Sequence, residues 1–430
     1  MTTESKRQTS GEQVPDDQPS WMRPLAAFRH HNYRLYFSGQ LISLIGTWMQ
    51  NIAQGWLVFK LTGSPFALGI VTALQSLPVL FFALIGGVLA DRVAKYRLIV
   101  FTQAAMAILA LLLGIDVTAG TVQIWHIYIL ASLLGTVQAL DMPSRQAFTV
   151  EMVGKDDLLN AVALNSVLFN MARIFGPAVA GLTIAFVGLA LCFYLNAASF
   201  LAVIAGLLLM RPAEFRIHGA LQKGGSAKAQ LIEGLRYVQQ TPSVLTIIVL
   251  AASFALFAFN SSVILPVFAG KVLNVGSAGY GALTAAMGVG SLIVAGAIAF
   301  ARKARFSVLL AGMGLWALFA FGFAWSRFFP LSLLLLAGMG GSMMTFSTQS
   351  NTFVQSAVPD ALRGRVMSLY MMLWVGSQPL GAFLTGSTAS LWGAPVALTA
   401  GAALSGLVLV AAVLSRSRIS LALPELAVAD

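Results

Sequence analysis

The chain has 430 residues, of which 58% are hydrophobic and 10% charged, and its formal net charge is +11. Soluble domains carry about 25% charged residues, so a soluble core could not hold this much apolar sequence without exposing large patches. The single cysteine, Cys192, excludes an internal disulfide and a cysteine-cluster metal site. The composition therefore favours a protein embedded in a lipid bilayer.

Apolar stretches long enough to cross a membrane recur along the whole chain. A membrane-crossing helix needs about 20 mainly apolar residues. Twelve stretches qualify, at 33–59, 66–90, 98–118, 124–142, 161–187, 189–210, 244–268, 278–301, 306–325, 328–352, 365–389 and 394–415. We therefore predict an all-α integral membrane protein with twelve transmembrane helices. Residues 1–32 are predicted to form a polar cytosolic N-terminal tail that ends in a basic, aromatic interfacial anchor.

A charged loop follows the second span. Gly87 is followed by Asp91, Arg92, Lys95 and Arg97. A small residue lets two helices approach closely, and charges at helix ends can pair with groups on neighbouring helices. These five residues are predicted to form a cytosolic latch that breaks and re-forms as parts of the protein move. The alternative is an ordinary positively charged cytosolic loop.

This loop resembles the signature of the major facilitator superfamily, G-x-x-x-D-[RK]-x-[GA]-[RK]-[RK]. Gly87, Asp91, Arg92 and Lys95 match the signature, whereas Tyr96 interrupts its final basic pair. The resemblance implies the major facilitator fold, with two six-helix halves around a central cavity, and a protein that works as a monomer.

The fourth span is predicted to stop at 142, because Pro143 ends or bends a helix. Asp141 and Arg145 are four residues apart and can pair if helical geometry persists across the proline. Such a pair is either a structural salt bridge at the cytosolic rim or a gate that responds to protons. The stretch 135–161 resembles the branch of the superfamily that contains the enterobactin exporter and macrolide or multidrug efflux proteins.

The fifth span carries a charge near its middle. Arg173 lies about 12 residues from the predicted start of the span, which is a depth of about 18 Å. A charge there costs at least about 2.5 kcal/mol, so it needs a partner or a wet cavity. Arg173 is therefore either a substrate or coupling residue, or a structural charge paired with backbone carbonyls or a neighbouring helix.

Gly176, Pro177 and Gly181 follow Arg173 on the same span. Glycine allows close helix packing and proline bends a helix, so we predict a helix-packing motif here. The pattern is similar to the superfamily's antiporter motif, G-x-x-x-G-P-x-x-G-G, with alanine in place of two of its glycines. The resemblance favours exchange of the cargo against another solute.

The segment 211–243 is predicted to be a cytosolic central loop whose second part is amphipathic and can lie on the membrane surface. It separates an N-terminal half, 33–210, from a C-terminal half, 244–415, which precedes a cytosolic tail, 416–430. A shift of 205 residues aligns glycines of the two halves, namely Gly176, Gly181 and Gly188 with Gly381, Gly386 and Gly393. Repeated halves are typical of secondary transporters.

Polar side chains recur within the apolar spans, and several of these spans surround the cavity in the fold that the resemblance implies. Each side chain either lines the cavity or makes hydrogen bonds between helices. The candidate substrate or coupling residues are Arg173, Asp141, Arg145, Gln50, Asn51, Asn165, Asn170, Asn260, Gln349 and Gln378.

The positions of the basic residues predict the topology. With the N-terminus inside, 22 of the 26 Lys and Arg fall in cytosolic segments and three fall outside. This bias favours a bacterial inner (plasma) membrane protein with both termini cytoplasmic. It also accounts for the positive charge, so we expect no nucleic-acid partner.

Several functional motifs are absent from the sequence. It contains no phosphate-binding G-x-x-x-x-G-K-[ST] loop, no metal-ligand spacing within a span and no G-x-S-x-G nucleophile. We therefore expect a protein that is not an enzyme and that has no catalytic residue, cofactor or metal. Asp141 and Asp116 are the only carboxylates within the predicted spans. Because proton-coupled transporters commonly use a buried acid, the coupling mechanism is left open.

The function that these features predict is secondary active transport by alternating access. We expect a proton-coupled exporter of a small amphipathic compound, such as a drug, a siderophore or a secondary metabolite. The alternatives are a lysolipid or metabolite transporter of the same fold, and a membrane sensor or assembly protein that transports nothing.

Overall fold

A computed structural model describes residues 23–154, 156–215, 227–258, 260–299 and 305–414. Within these ranges, the side chains at 23–24, 83–92, 227–231, 299 and 360–361 are not described. The described chain is almost entirely helical and contains no β-strand. Most of the predicted N-terminal tail, the glycine-rich part of the central loop and the C-terminal tail lie outside the described residues.

Six long helices form the N-terminal half. They are α1 (His31–Thr62), α2 (Pro65–Arg92), α3 (Lys95–Ala119), α4 (Ile124–Val153), α5 (Leu158–Phe186) and α6 (Leu189–Leu208). A short 3-10 segment, Arg23–Arg29, precedes them. The glycine that follows α1, Gly63, has φ 59°, a left-handed conformation that ends a helix at little cost only when the residue lacks a Cβ.

A shorter helix, α7 (Ala227–Gln240), leads into the C-terminal half. That half contains α8 (Pro242–Ala258), α9 (Ser261–Val267), α10 (Gly276–Ala299), α11 (Phe306–Trp325), α12 (Phe329–Ala357), α13 (Asp360–Trp392) and α14 (Ala394–Leu414). A π-helical segment, Phe268–Val272, continues α9. Taken together, α8, α9 and this segment correspond to the predicted seventh span, 244–268.

The predicted end of the fourth span is wrong, because α4 continues through Pro143 to Val153. Proline has no N–H, so the carbonyl four residues earlier loses its usual donor. The neighbouring Ser144 hydroxyl donates to the Leu140 carbonyl at 2.8 Å and provides a local polar contact. The burial of α4 against α2 and α3 outweighs the loss of one backbone hydrogen bond.

The seventh span is interrupted, whereas the sequence predicts one continuous helix over 244–268. The helix α8 ends at Ala258 and α9 begins at Ser261. Between them, Asn260 leaves the helical conformation, and its Nδ2 donates to the Leu256 carbonyl at 2.8 Å. The side-chain amide thereby provides a donor for a carbonyl in the last turn of α8.

Ten of the helical segments in the described chain are both long and apolar enough to cross a membrane. The helices α1 and α13 are not among these ten, although they contain 32 and 33 residues. Polar side chains such as Gln40, Gln50, Asn51 and Gln54 lower the mean hydropathy of α1. A count of twelve spans therefore remains a prediction for these two helices.

Within each half the helices pack on one another in pairs. Two further pairs of helices join the halves. In the N-terminal half α1 and α3 pack on α6, and α2 packs on α4. In the C-terminal half α10 and α11 pack on α12, and α8 packs on α13. The two halves join where α2 crosses α13 and where α5 crosses α10.

Glycines at corresponding positions allow both crossings. A Cβ on Gly181 of α5 would lie 3.0 Å from the Ser277 carbonyl oxygen of α10. A Cβ on Gly386 of α13 would lie 2.8 Å from the Pro65 carbonyl oxygen and 3.0 Å from the Cα of Gly69 on α2. Gly181 and Gly386 are one of the pairs that the 205-residue shift aligns, so the sequence repeat matches a repeated contact between the halves.

Candidate substrate cavity

The two ends of the helix bundle differ in how the halves contact each other. The "α7 end" contains α7, the end of α4 and the start of α5. The "Lys271 end" contains Lys271 and Gly63. At the Lys271 end the halves are joined directly, because Lys271 Nζ donates to the Gly63 carbonyl at 2.7 Å. Trp56 of α1 also stacks on Tyr280 of α10, with ring centroids 6.1 Å apart.

The described contacts at the two crossings run from the middle of the bundle to the Lys271 end. On α2 and α13, Phe66 packs against Phe383, and the side chain of Leu80 lies against Gly376. On α5 and α10, the backbone carbonyl of Arg173 lies against Gly288. From these contacts toward the α7 end, the space between α4, α5, α12 and α13 is a cavity.

The cavity has two neighbouring parts. The "central chamber", of about 480 Å³, is lined mainly by α1, α2, α4, α9, α10 and α13. The "vestibule", of about 730 Å³, lies toward the α7 end and is lined by α4, α5, α12 and α13. Phe169 of α5 lines both parts. Volumes of this size fall in the range of small-molecule binding sites.

Five of the ten candidate residues line this cavity. Asn51 and Gln378 lie in the central chamber. Asn165, Asn170 and Arg173 lie in the vestibule, and all three belong to α5. Asn170 and Arg173 are three positions apart and therefore neighbours on the surface of α5, and Asn165 lies more than one turn earlier on the same helix.

Three other candidates make hydrogen bonds inside one half of the protein. Gln50 is buried and its Oε1 accepts from Asn196 Nδ2 of α6 at 2.6 Å. Gln349 Oε1 accepts from the Arg305 backbone N–H at 3.0 Å. Asn260 caps α8 beside Gly381. The structure places none of these three in the chamber or the vestibule.

Sequence reasoning missed several lining residues. Gln75 of α2 and Gln138 of α4 lie in the central chamber, and Gln54 Nε2 lies 3.5 Å from Gln75 Oε1. Tyr280 lines the chamber, and Trp374 lines the vestibule. An amide within an apolar helix was the available signal for Gln75 and Gln138, whereas no sequence signal separates these aromatic residues from those that face lipid.

Arg173 projects into the vestibule from the middle of α5. Its Nη2 donates to Asn170 Oδ1 at 3.1 Å, and Asn170 Nδ2 in turn donates to the Ser166 carbonyl at 2.8 Å. The Nε atom of Arg173 is buried and has no hydrogen-bond acceptor among the described residues. A neutral amide is thus the one acceptor that this guanidinium has in the described structure.

Asp141 and Arg145 form an ion pair across Pro143, as the spacing predicts. Asp141 is buried, and it also accepts from Thr102 Oγ1 at 2.5 Å and Gln103 Nε2 at 3.1 Å. Both of these donors belong to α3. The pair therefore lies inside the N-terminal half. Other residues of α4 line the cavity, whereas Asp141 and Arg145 do not.

The predicted latch is described only in part. Lys95 Nζ pairs with Glu151 Oε1 at 2.8 Å, which joins the start of α3 to the end of α4. Arg97 is exposed at the same end. Gly87, Asp91 and Arg92 lie in the last turns of α2, and their side chains are outside the described residues.

The helix-packing motif, Gly176, Pro177 and Gly181, lies where α5 crosses both α1 and α10. A Cβ on Gly176 would overlap the Trp48 Cβ of α1, and a Cβ on Gly281 of α10 would lie 2.5 Å from the Pro177 carbonyl oxygen. Gly181 packs against α10 as described above. The motif thus lets α5 contact α1 within its own half and α10 in the other half.

Two helical halves around a cavity are the architecture of the major facilitator superfamily. A family model described as transmembrane secretion effector matches residues 22–428. The chain therefore belongs to this family of major facilitator transporters.

Curated relatives cover most of the chain. It is 24% identical over 372 residues to the staphyloferrin A transporter of Staphylococcus aureus, covering 84% of this chain and 90% of the relative. It is 28% identical over 357 residues to the multidrug efflux pump Tap of Mycolicibacterium fortuitum, covering 80% and 85%. It is 25% identical over 381 residues to the enterobactin exporter EntS of Escherichia coli, covering 86% and 89%.

Solved structures share the fold at low sequence identity. A POT family transporter in complex with a thioalcohol-conjugated peptide matches with a TM-score of 0.71 and 11% identity, covering 90% of this chain and 96% of that one. A bacterial homologue of the lysosomal transporter Spinster, in an inward-facing and unoccupied conformation, matches with a TM-score of 0.65 and 14% identity, covering 94% and 98%. The family match, and not these structures, identifies the protein as a multi-pass membrane transporter.

Proposed function

We propose that the protein is a secondary active exporter of a small amphipathic compound and works by alternating access. The observation that carries this proposal is the cavity between the halves, which extends toward the α7 end and shares no lining residue with a separate recess of about 440 Å³ at the Lys271 end. Polar amides beside aromatic and methionine side chains suit a cargo with apolar and polar parts. Relatives described as siderophore and multidrug exporters support the same class of cargo.

The proposed orientation places the α7 end in the cytosol. The excess of Lys and Arg in the segments at this end supports this orientation. A cavity that faces the cytosol is the state from which an exporter loads its cargo. Both halves of one chain form the cavity, which supports a monomer as the working unit.

We further propose protons as the coupling ion and the region of Gly87, Asp91, Arg92, Lys95 and Arg97 as a cytosolic latch. The ion pair between Lys95 and Glu151 supports the latch, because it ties this loop to the end of α4. Closing the α7 end would bring such charges toward the C-terminal half, and opening it would separate them. The membrane potential and the pH gradient are the energy sources that a bacterial inner membrane supplies.

Transport in everted membrane vesicles tests the proposal. A thermal-shift screen of the purified protein against siderophores, antibiotics and lysolipids supplies the test compound. We expect respiring vesicles to accumulate that compound and to lose it when nigericin collapses the pH gradient. Accumulation that is unaffected by nigericin contradicts proton coupling. Stabilisation by lysolipids alone favours the lipid alternative, and no accumulation of any stabilising compound contradicts export.

A further inference from the structure

We propose that Arg173 is the anion-binding residue of the transport cavity, so that the cargo carries a carboxylate or another fixed negative group on an apolar body. This inference rests on the proposed function and names the chemical class of its cargo. It follows from the charges in and around the vestibule.

Arg173 is the only charged residue among the described lining residues of the chamber and the vestibule. A charge held deep in a membrane protein is costly unless a partner or water compensates it. Asn170 provides one neutral acceptor, and the buried Nε has none in the described chain. The guanidinium therefore keeps donors that no group of the described chain accepts, and because Nε is buried, a negatively charged guest would meet the terminal Nη groups.

Three carboxylates of the N-terminal half that lie near Arg173 along the chain have partners, and a fourth, Asp156, is exposed to solvent. Asp141 pairs with Arg145, Glu151 pairs with Lys95, and Asp157 pairs with both Arg29 and His30. None of these carboxylates lines the vestibule. A structural ion pair for Arg173 is thus missing from the part of the chain that the structure describes.

The wall around Arg173 suits an apolar body attached to the anionic group. Phe169 and Trp374 present aromatic surfaces in the vestibule, and Met343 and Met344 add flexible, polarisable ones. Asn170 holds the guanidinium by one hydrogen bond and is fixed to the α5 backbone by another. Asn170 therefore acts as a positioning residue, while the remaining guanidinium donors stay directed to the guest.

A charge probe inside the cavity tests this inference without knowledge of the cargo. Ser166 is exposed, lines the vestibule and lies two helical turns before Arg173, at about 10 Å. In a Cys192→Ala background, Ser166→Cys is reacted with anionic sulfonatoethyl and cationic trimethylammonioethyl methanethiosulfonate at low ionic strength. The ratio of the reaction rate of the anionic reagent to that of the cationic reagent measures the electrostatic potential at residue 166.

We expect Arg173→Gln to lower this ratio at least about fourfold, which is the Coulomb effect of one charge at about 10 Å even in bulk water. Arg173→Lys should keep the ratio close to that of the parent. Arg327→Gln removes the same charge from the turn between α11 and α12, outside the cavity, and should leave the ratio unchanged. An unchanged ratio in Arg173→Gln overturns the inference.

Binding of two matched dyes tests the preference for anions. Fluorescein is anionic and rhodamine 123 is cationic, and both have a xanthene body. By fluorescence anisotropy we expect the parent protein to bind fluorescein more tightly, and Arg173→Gln to weaken fluorescein binding about tenfold, since a charged hydrogen-bonded contact is lost. Tighter binding of rhodamine 123, or an unaltered fluorescein affinity in Arg173→Gln, overturns the inference. If neither dye binds, the rate ratio decides.

The anion could belong to a soluble compound or to a lipid headgroup. Repeating the fluorescein measurement in nanodiscs with and without phosphatidylglycerol separates these sources, because an anionic lipid in the vestibule competes only when it is present. Neither the labelling nor the binding measurement requires transport. A protein that binds fluorescein through Arg173 but accumulates no compound in vesicles would therefore refute the export proposal and leave the anion site standing.

Discussion

Asp141 and Arg145 form an ion pair that stabilises the folded N-terminal half and does not line the cavity. The carboxylate accepts hydrogen bonds from Arg145, Thr102 and Gln103, all within the N-terminal half. Breaking a buried ion pair by removing one partner leaves the other charge uncompensated. The pair thus ties α3 to α4 behind the residues that line the cavity.

Replacing Asp141 by Asn should destabilise the folded protein by about 3 kcal/mol, because Arg145 would keep its charge without a counter-charge. Chemical unfolding in detergent micelles measures this loss. The double variant Asp141→Asn/Arg145→Met should recover more than half of it, since the unpaired charge is gone. A single variant as stable as the parent would show that Arg145 finds another partner.

At the scale of elements, glycines set how closely the two halves approach. Gly386 of α13 lies against the backbone of α2, whereas nothing lies within 4 Å of a Cβ placed on Gly296 of α10. Backbone atoms cannot move aside as a flexible side chain can, so an added methyl group at Gly386 must shift a helix. The crossing of α2 and α13 is therefore sensitive to a single methyl group.

The change Gly386→Ala should lower stability by about 1–3 kcal/mol, the usual cost of overpacking. Gly296→Ala is the matched control, and its stability should be unchanged or slightly raised, because alanine favours the helix. Thermal unfolding of the three proteins in the same detergent measures the difference. Equal melting temperatures for Gly386→Ala and Gly296→Ala would contradict the close crossing.

The helix α7 docks on the C-terminal half. Glu233 Oε1 pairs with Arg365 at 2.6 Å, and Tyr237 donates to the Ala357 carbonyl at 3.3 Å. Val238 is buried at this contact, and Gly234 lies against the backbone of Arg365. The central loop therefore moves with the C-terminal half at this point.

Glu233→Lys should loosen α7 by less than about 1 kcal/mol, because Glu233 is partly exposed and water screens the pair. Hydrogen–deuterium exchange in α7 should speed up accordingly, and the charge swap Glu233→Arg/Arg365→Glu should restore the parent rate. Glu214→Lys breaks a comparable pair with Arg211 away from α7 and serves as the control. Unchanged exchange in Glu233→Lys would show that Val238 and Tyr237 hold α7 without the ion pair.

The sequence was sufficient for the order of the helices, because hydropathy is a local property. It was insufficient where tertiary packing decides. The burial of α4 carried the helix through Pro143, and the amide of Asn260 allowed a break inside an apolar run. Gln50 was misplaced for the same reason, because only the packed structure shows that it faces Asn196 of α6 and not the cavity.

At the scale of the whole molecule, the joined Lys271 end and the cavity at the α7 end correspond to one of the two states that the proposed alternating access requires. The crossings of α2 with α13 and of α5 with α10 are close enough to act as pivots. The contacts at the Lys271 end include the hydrogen bond from Lys271, the stack of Trp56 on Tyr280 and the packing of Phe59 against Gly270. Opening this end would therefore separate apolar contacts as well as polar ones.

Spin-label distances across both ends test this motion. In a Cys192→Ala background, labels at Leu159 and Ser368 report the α7 end, and labels at Val187 and Phe328 report the Lys271 end; all four side chains are exposed. When the compound selected by the thermal-shift screen is added, the first distance should shorten and the second should lengthen, because a rocking motion about the crossings couples them.

Labels at Leu159 and Leu209 lie within the N-terminal half and should keep their distance in the same experiment, since each half moves as a unit. Opposite changes at the two ends, with this internal distance constant, are what a transporter requires. A compound that stabilises the protein but shifts neither end would instead fit the membrane sensor, because ligand binding would then proceed without any exchange of access.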